Sequence, residues 1–315
     1  MRHFPKPIVV TSKCFEFDSC RYNGQMVPNN FVQALAPFVE LLPVCPEIEI
    51  GLGVPRDPIR VISKKGVRNL VQPSTGRDLT TLMNTFSDKY LGSLREVDGF
   101  ILKNRSPSCA IKDTKLYPDA ENEIATGKGP GLFAEKVLEK FPGAAIEDER
   151  RLRNPALREH YLTRIFTLAR WRQVRKKATR KALAEFQSDN KFILMSYSQK
   201  EMKELGRMVG NEEPRPVEET LYLYDTHLRK SLSKTPRRNS NINVLMHGLG
   251  YFSGALTAKE KRFFLGLLEN YKNEKTTLGA LQSVMESWII KYEEPYLARQ
   301  TYFHPYPGEL AEKGA

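Results

Sequence analysis

The hydrophobic pattern of this 315-residue chain changes near residue 150, and this change constrains the fold most strongly. Before it, short β-branched runs alternate with stretches of helical period. These runs are residues 7–11, 59–62 and 99–102. Asn154 and Pro155 then form a helix start, and apolar residues recur beyond them at helical spacing. We predict an α/β N-terminal domain over residues 1–150, with a small open sheet and cysteine loops at strand ends, and an all-α C-terminal domain over residues 151–315.

Helical periodicity and end signals predict the individual helices. They cover residues 31–42, 79–94, 132–141, 243–252, 257–273 and 278–291. Pro37 lies inside the first of these and would kink it. The glycine-rich segment 127–131 precedes the third. Its spacing is not that of a P-loop and Pro130 lacks an amide donor, so we interpret it as a structural turn rather than a phosphate site.

All four cysteines lie in the first 109 residues of the chain, and they are Cys14, Cys20, Cys45 and Cys109. No apolar run reaches the roughly 18–20 residues of a membrane span, so we expect a soluble cytoplasmic protein, in which disulfides are rare. Clustered cysteines in turn-like contexts then indicate a metal-binding or catalytic site, whereas burial as small hydrophobes accounts for one or two of them. Two follow strand candidates and Cys45 lies in an extended stretch, at the kind of sheet edge where ligands bind.

The chain is strongly basic, with a formal net charge of +12, which favours polyanionic partners such as nucleic acid. Segment 164–181 holds eight basic residues and Trp171 but no acid. Basic side chains contact phosphates and an aromatic ring can stack on a base. We predict RNA-binding residues here, namely Arg170, Arg172, Arg175, Lys176, Lys177 and Arg180.

Five short motifs in the first half resemble the TudS thiouracil desulfidase domain. They are TSKC at 11–14, CRYNG at 20–24, PVCPE at 43–47, GLGVPR at 51–56 and KNRSPSC at 103–109. The second half resembles a helical domain that is often fused after it, through RNSNINVLMHGLGYF at 238–252 and YLARQTY at 296–302. The two-domain arrangement is similar to RudS-type desulfidases, which remove sulfur from 4-thiouridine in tRNA. Phe15, Glu16 and Phe17 depart from the family's Leu-Leu-Gly stretch.

The resemblance implies a 4Fe–4S cluster held by Cys14, Cys45 and Cys109. Three ligands leave the fourth iron open to the sulfur of a thiolated pyrimidine, and the reaction would be a non-redox C–S hydrolysis that releases sulfide. Cys20 matches the family motif but is interpreted as a neighbour of the cluster. The implied partner is tRNA, with no membrane and no protein partner inferred.

A proton acceptor is needed for attack of water on the pyrimidine carbon, and Glu47, two residues after Cys45, is the candidate general acid/base. The alternative for Glu47 is a salt bridge to Arg21, Arg56 or Arg105. Ser106 and Ser108 are candidate catalytic residues that would hold the pyrimidine edge or the attacking water. Hydrogen bonding within a turn is the alternative for both serines.

Two other functions stay open from the sequence. One is a desulfidase of free thiouracil or thionucleotides, which would need neither the basic segment nor the helical domain. The other is an RNA-binding protein with a structural metal site, which would normally be closed by four ligands. The sequence does not separate 2-thio from 4-thio substrates.

Overall fold

The computed structural model describes residues 3–210 and 214–312. Its contacts divide the chain into two compact units. The first extends to Ala169 and includes the tail from Tyr306, and the second is Arg170–Pro305. The hydrophobic pattern placed the domain boundary at residue 150, whereas the contacts place it inside the helix that follows. The first turns of that helix pack on the sheet of the first unit, which accounts for the difference.

A four-stranded parallel sheet forms the centre of the first unit. Its strands are β1 (Ile8–Ser12), β2 (Glu40–Val44), β6 (Gly99–Leu102) and β9 (Ala145–Asp148), in the order β2-β1-β6-β9. All carboxyl ends therefore meet at one edge. The predictions of a strand near 7–11 and of a strand at 99–102 are confirmed.

A second sheet of five strands lies in the same unit and was not expected from the sequence. Its strands are β3 (Arg60–Lys64), β4 (Val67–Gln72), β5 (Arg77–Asp78), β7 (Thr114–Tyr117) and β8 (Gly127–Gly129), in the order β5-β4-β3-β7-β8. Only β3 was predicted, from the run at 59–62. Strands β5, β7 and β8 are short and polar or glycine-rich, and Arg68 and Asn69 interrupt the apolar residues of β4, so none of them shows the continuous β-branched run that marks a buried strand.

Five helices begin in the part of the first unit that ends at Ala169. They are α1 (Asn30–Leu35), α2 (Pro46–Glu49), α3 (Thr80–Ser93), α4 (Leu132–Lys140) and α5 (Pro155–Lys177), the last of which crosses into the second unit. The predicted helix over 31–42 is wrong beyond Leu35. A short 3₁₀ turn around Pro37 ends it, and the residues from Glu40 onward pair with β1 as β2.

The second unit contains only helices as regular elements within its described residues. Their bounds are α6 (Arg180–Tyr197), α7 (Gln199–Gly210), α8 (Val217–Ser231), α9 (Arg238–Tyr251), α10 (Ala258–Lys272), α11 (Leu278–Lys291) and α12 (Pro295–Arg299). The α/β plus all-α fold class is therefore confirmed. A capping box opens α10, because Thr257 accepts from the Glu260 amide and Glu260 reaches back to accept from the Thr257 amide.

Both faces of the parallel sheet are covered, as such sheets require. On one face Val9, Ile101 and Ala145 share a core with Tyr161 and Ile165 of α5. Gly99 permits the close approach of this helix, since a Cβ there would lie 2.7 Å from Cγ2 of Ile165. A last short helix, α13 (Glu309–Glu312), places Leu310 in the same core.

The opposite face of the sheet packs on α4, where Val10, Phe100 and Leu102 meet Phe133 and Val137. The parallel sheet is therefore a rigid element between two helical layers, and the loops at its carboxyl edge have fixed anchor points. Among the described helices, none combines the length and apolarity that crossing a bilayer requires.

Candidate active site

A cavity of about 480 Å³ opens at the carboxyl edge of the parallel sheet. Three of its cysteines come from the loops that follow three strands: Cys14 after β1, Cys45 after β2 and Cys109 after β6. After β1 the chain moves toward β2 at one end of the sheet, and after β6 it moves toward β9 at the other end. A crevice forms between β1 and β6, where this direction reverses. The expected location of these cysteines in loops at strand ends is confirmed.

All four cysteines are free thiols and line this cavity. Cys20 lies between two of the others, since its side chain is hydrogen-bonded to the thiols of both Cys14 and Cys45. The hydrogen bond with Cys14, assisted by burial, raises the pKa of Cys20 to about 11. The hydrogen bond with Cys20 and burial raise the pKa of Cys45, and burial is the main cause of the raised pKa of Cys109. These thiols are therefore protonated near neutral pH, and metal binding would release their protons.

The donor set of the cavity fits an iron–sulfur cluster. Thiolates are the ligands that such clusters use, and here they come from separate loops around one space. Within the described ranges, no three His, Cys, Asp or Glu side chains stand close enough to share a single metal ion. Each thiol of a cluster binds a different iron, so thiols from separate loops around one space suit such a group.

The loop that carries Cys109 is held by backbone hydrogen bonds from the start of α4. The Leu132 amide donates to the carbonyl of Pro107 at 3.1 Å, and the Ala134 amide donates to that of Ser108 at 3.0 Å. Gly131 allows this contact, since a Cβ there would lie 2.6 Å from the Pro107 oxygen. The amides that open α4 are thus occupied by the loop, which argues against a phosphate site at segment 127–131. Its first three residues form β8 and not the predicted turn, because they pair with β7.

Glu47 projects from the first turn of α2 into the cavity wall. Its Oε2 accepts hydrogen bonds from Arg56, at 2.6 Å from Nη2 and 3.0 Å from Nε, so the alternative of a salt bridge is realised with Arg56. Its Oε1 accepts from the Ser108 hydroxyl at 2.9 Å. Arg56 in turn donates to the carbonyl oxygen of Cys20 at 3.1 Å. The carboxylate is therefore fixed on both oxygens beside the cysteines.

The two candidate serines occupy different positions. Ser108 is fully buried and does not line the cavity, so the expectation that it touches a pyrimidine is wrong, and its hydroxyl instead holds Glu47. Ser106 does line the cavity. Its hydroxyl accepts from the amides of Ser108 at 3.2 Å and Cys109 at 3.0 Å, which is the turn bonding considered as its alternative. The same hydroxyl donates to Oε1 of Glu47 at 3.5 Å.

Other cavity residues were not singled out as site residues from the sequence. Ser12 at the end of β1 accepts from the Lys103 amide at 2.9 Å and hydrogen-bonds the Cys109 thiol. Val44, Pro58 and Ile59 form an apolar part of the wall. The signal for Ser12 was its place in the motif TSKC, directly before a cysteine loop, whereas the apolar wall depends on tertiary contacts.

The basic segment of α5 and α6 is only partly exposed. Trp171 is 1% exposed and stacks on Tyr224 with ring centroids 4.7 Å apart, while its Nε1 donates to Asp225 at 2.6 Å. Stacking of Trp171 on a base is therefore excluded. Arg172 is 8% exposed. Because its side chain is buried, we remove it from the predicted RNA-binding residues.

The rest of the predicted RNA-binding set keeps more exposure. Arg170 is half-buried and donates to the carbonyl of Pro305 at 2.9 Å. Arg175, Lys176 and Lys177 at the end of α5 and Arg180 at the start of α6 are exposed. Arg180 also donates to the carbonyl of Arg215. RNA contact by these side chains stays a prediction.

Two protein-family models match the chain. Residues 9–149 match the family described as 2-thiouracil desulfurase. Residues 191–307 match DUF1722, described as a protein of unknown function. The first match contains all four cysteines and Glu47, and all but the last two residues of the second lie in the helical unit.

Two curated relatives and one solved structure are similar to parts of the chain. YbgA of Escherichia coli (strain K12), described as uncharacterized, is 26% identical over 148 residues, which are 46% of this chain and 88% of YbgA. YbbK of Bacillus subtilis (strain 168), also uncharacterized, is 29% identical over 109 residues, which are 32% of this chain and 72% of YbbK. The [4Fe-4S]-dependent thiouracil desulfidase TudS is 24% identical, with a TM-score of 0.38, over 47% of this chain and 93% of its own.

Proposed function

Since residues 9–149 of this chain are a 2-thiouracil desulfurase domain and residues 191–307 a DUF1722 domain, we propose that this desulfidase converts 4-thiouridine in tRNA to uridine. Water replaces sulfur at the pyrimidine carbon, sulfide leaves, and no electrons are transferred. The observation that carries the proposal is the convergence of Cys14, Cys45 and Cys109 with Glu47 on one cavity.

In this proposal, Cys14, Cys45 and Cys109 hold a 4Fe–4S cluster. When bound by three thiolates, such a cluster supplies an iron with an open coordination position that can take the sulfur of the substrate. Cys20 stays outside the ligand set and supports Cys14 and Cys45 through its hydrogen bonds. A structural metal site would instead be closed by four protein ligands and would have no use for a fixed carboxylate beside it.

Glu47 is the proton acceptor for the attacking water. Arg56 and Ser108 restrict its rotation, so the carboxylate faces the cavity without the entropy loss that a free side chain would suffer on binding water. Arg56 is nearly buried, with 6% of its side chain exposed, and its other bonds fix it to the loop backbone. Ser108 and Arg56 are positioning residues in this account.

The remaining walls of the cavity bind the pyrimidine. Val44, Pro58 and Ile59 offer apolar surface to the ring faces, and the Ser106 hydroxyl offers a donor or acceptor to the ring edge. These walls also limit the access of bulk water to the reacting carbon. The exposed cations Arg175, Lys176, Lys177 and Arg180 are the proposed contacts with tRNA phosphates.

Digestion of treated tRNA to nucleosides tests this function. We expect anaerobically reconstituted full-length protein to remove 4-thiouridine from tRNA and to form an equal amount of uridine. Glu47→Gln should lower the rate by about 10²- to 10⁴-fold, as expected for the loss of a general base. Glu49→Gln is the matched control, because Glu49 is an exposed carboxylate of the same helix that does not line the cavity.

Unchanged 4-thiouridine content with the reconstituted protein would reject the proposal. Turnover of free 4-thiouracil, 2-thiouracil or a thionucleotide without turnover of tRNA would assign the small-molecule activity instead. A Glu47→Gln variant as active as Glu49→Gln would reject the role given to Glu47.

A further inference from the structure

A second cavity, of about 680 Å³, lies beside the cysteine cavity within the first unit. The two share a wall formed by Lys103, Asn104 and Arg105, the residues that follow β6. The residues of this wall therefore face both cavities. No role in the proposed desulfidation involves this space.

The charge lining the second cavity is strongly positive. Its cations are Lys103, Arg105, Arg150, Arg153 and Arg158, and its single carboxylate belongs to Glu149. That carboxylate is already occupied, because it pairs with the ammonium of Lys103 and accepts from the Asn104 amide at 2.8 Å. The charge of the arginines is therefore not balanced by the acid in the same cavity.

Four arginines of the second cavity can donate hydrogen bonds to a ligand. In the described ranges, the guanidinium groups of Arg105, Arg150, Arg153 and Arg158 form neither a hydrogen bond nor an ion pair with the protein. Like charges in one concave space raise the energy of the empty site, and an anion lowers it. Planar guanidinium groups bind phosphate oxygens in pairs, so this cavity is built for a phosphate rather than for a neutral group.

Arg105 occupies the wall between the two cavities and has an unusual backbone. Its φ is 56°, in the left-handed region that residues with a Cβ rarely adopt. The Asp113 carboxylate holds this conformation by accepting from the Arg105 amide at 2.8 Å. Strain of this kind persists where the surroundings enforce it, and here it keeps an exposed guanidinium at the junction of both cavities.

We propose that the second cavity binds a phosphate group attached to the thiolated nucleoside whose base lies in the cysteine cavity. The substrate class is then a nucleotide or an RNA, and a free base leaves this subsite unused. The inference rests on the proposed function for the placement of the base, but the phosphate site is testable without turnover.

Binding of sulfur-free probes to the cluster-loaded full chain tests the site. By anaerobic titration calorimetry, we expect uridine 5′-monophosphate to bind more tightly than uridine, with a preference that falls as salt is raised. The double variant Arg153→Gln/Arg158→Gln should reduce this preference at least tenfold. Arg77→Gln is the matched control, because Arg77 is an exposed arginine of the same unit that lines neither cavity.

A trinucleotide, UpUpU without terminal phosphates, separates the two sources of phosphate. Arginine-dependent tight binding of the trinucleotide but not of the monophosphate identifies the RNA backbone as the ligand, and the reverse identifies a mononucleotide. Either result supports the site. Equal affinity for uridine, the monophosphate and the trinucleotide, or a preference unaffected in the double variant, overturns it.

Activity assays separate this inference from the proposed function. If the monophosphate preference is lost in the double variant but no thiolated substrate is turned over, the phosphate site stands and the desulfidation of RNA fails. If tRNA is desulfurised while neither phosphate probe is preferred over uridine, the phosphate site fails and the proposed function stands.

Discussion

Buried polar side chains serve different ends in the two units. In the first, Ser12 and Glu47 are fixed at the wall of a cavity. Ser12 lies beside the Cys109 thiol, and Glu47 accepts a hydrogen bond from Ser108. In the second, Asn190, Gln300 and Thr301 are buried and bond to one another's segments, and for example Thr301 Oγ1 donates to Asn190 Oδ1 at 2.8 Å. The first set positions reactive groups and the second joins helices.

This contrast identifies where the chemistry of the chain is expected. Loops at the carboxyl edge of a parallel sheet carry polar groups whose direction is set by rigid strands. A helical bundle satisfies its buried polar groups internally, so we expect any contact with a partner to come from exposed residues such as Arg175 and Lys177. Four substitutions test the contrast, from the largest expected effect to the smallest.

Gly131→Ala should damage the cysteine cavity most. The new Cβ would meet the backbone of Pro107 and Ser108 at 2.6 Å, so the loop carrying Cys109 must move or α4 must shift. We expect loss of iron binding and activity together with destabilisation of about 1–3 kcal/mol.

Gly266→Ala in α10 is the control. Its Cβ meets nothing within 4 Å, and alanine in a helix should raise stability by up to about 1 kcal/mol. Iron content and denaturation together check the pair, and equal iron content in both variants would contradict the account of the loop.

Acid should lower the stability of the first unit, because the unfolded chain protonates His160 more readily than the folded one. Burial, with smaller contributions from Arg164 and Arg151, lowers the pKa of His160 to about 4. The unfolded chain then binds more protons than the folded one between about pH 6.5 and 4, so stability falls as pH falls through this window. The shift corresponds to at most about 3 kcal/mol.

His160→Gln should remove that part of the acid sensitivity. Hydrogen exchange of β1 amides is the suitable measurement, because both tryptophans lie in the second unit and do not report on the first. A variant with the same loss of protection as the wild type between pH 6.5 and 4 would show that His160 is not the responsible group.

Ser108→Ala should lower activity while leaving the fold intact. The variant removes the closer of the two hydroxyls that donate to Oε1 of Glu47, so the carboxylate keeps Arg56 and only the 3.5 Å hydrogen bond from Ser106. We expect about a 10- to 100-fold fall in kcat and a loss of about 1 kcal/mol in stability. Ser93→Ala is the control, since Ser93 is exposed and donates to its own helix. If kcat for Ser108→Ala stays at the wild-type value, Ser108 does not position Glu47.

Charge reversal should have the smallest effect and should be confined to tRNA binding. Arg175→Glu/Lys177→Glu removes two exposed cations, so we expect roughly tenfold weaker binding and a shallower salt dependence. Lys259→Glu/Arg262→Glu makes the same change in net charge on α10 and is the matched control. Equal weakening by both pairs would mean that tRNA responds to total charge and not to the basic segment.

The sequence predicts the first unit best where one local signal dominates. Gly99–Leu102 is a strand as predicted, because four buried residues in succession leave little alternative. The helix predicted over 31–42 fails because Pro37 and pairing with β1 outweigh the helical spacing of its apolar residues. The second sheet was missed since strands such as β7 contain polar residues and are stabilised by their neighbours.

The site residues that the sequence predicted correctly are also those that depend on local motifs, and the ones it predicted wrongly depend on tertiary contacts. Motif positions were enough to select Glu47 and the loop cysteines, which line one cavity. The burial of Ser108, Trp171 and Arg172 depends on which side of a loop or helix faces the core. A basic segment without acids looks uniformly exposed in sequence, yet part of it packs inward on α8.

The iron content of cysteine variants tests the central claim most directly. Each cysteine is replaced by serine in the full chain, and iron and sulfide are measured after anaerobic reconstitution. We expect about four irons per chain for the wild type and for Cys20→Ser, and a large loss for Cys14→Ser, Cys45→Ser and Cys109→Ser. Loss of iron in Cys20→Ser equal to that in the other three, or a wild-type protein that holds zinc instead, would contradict it.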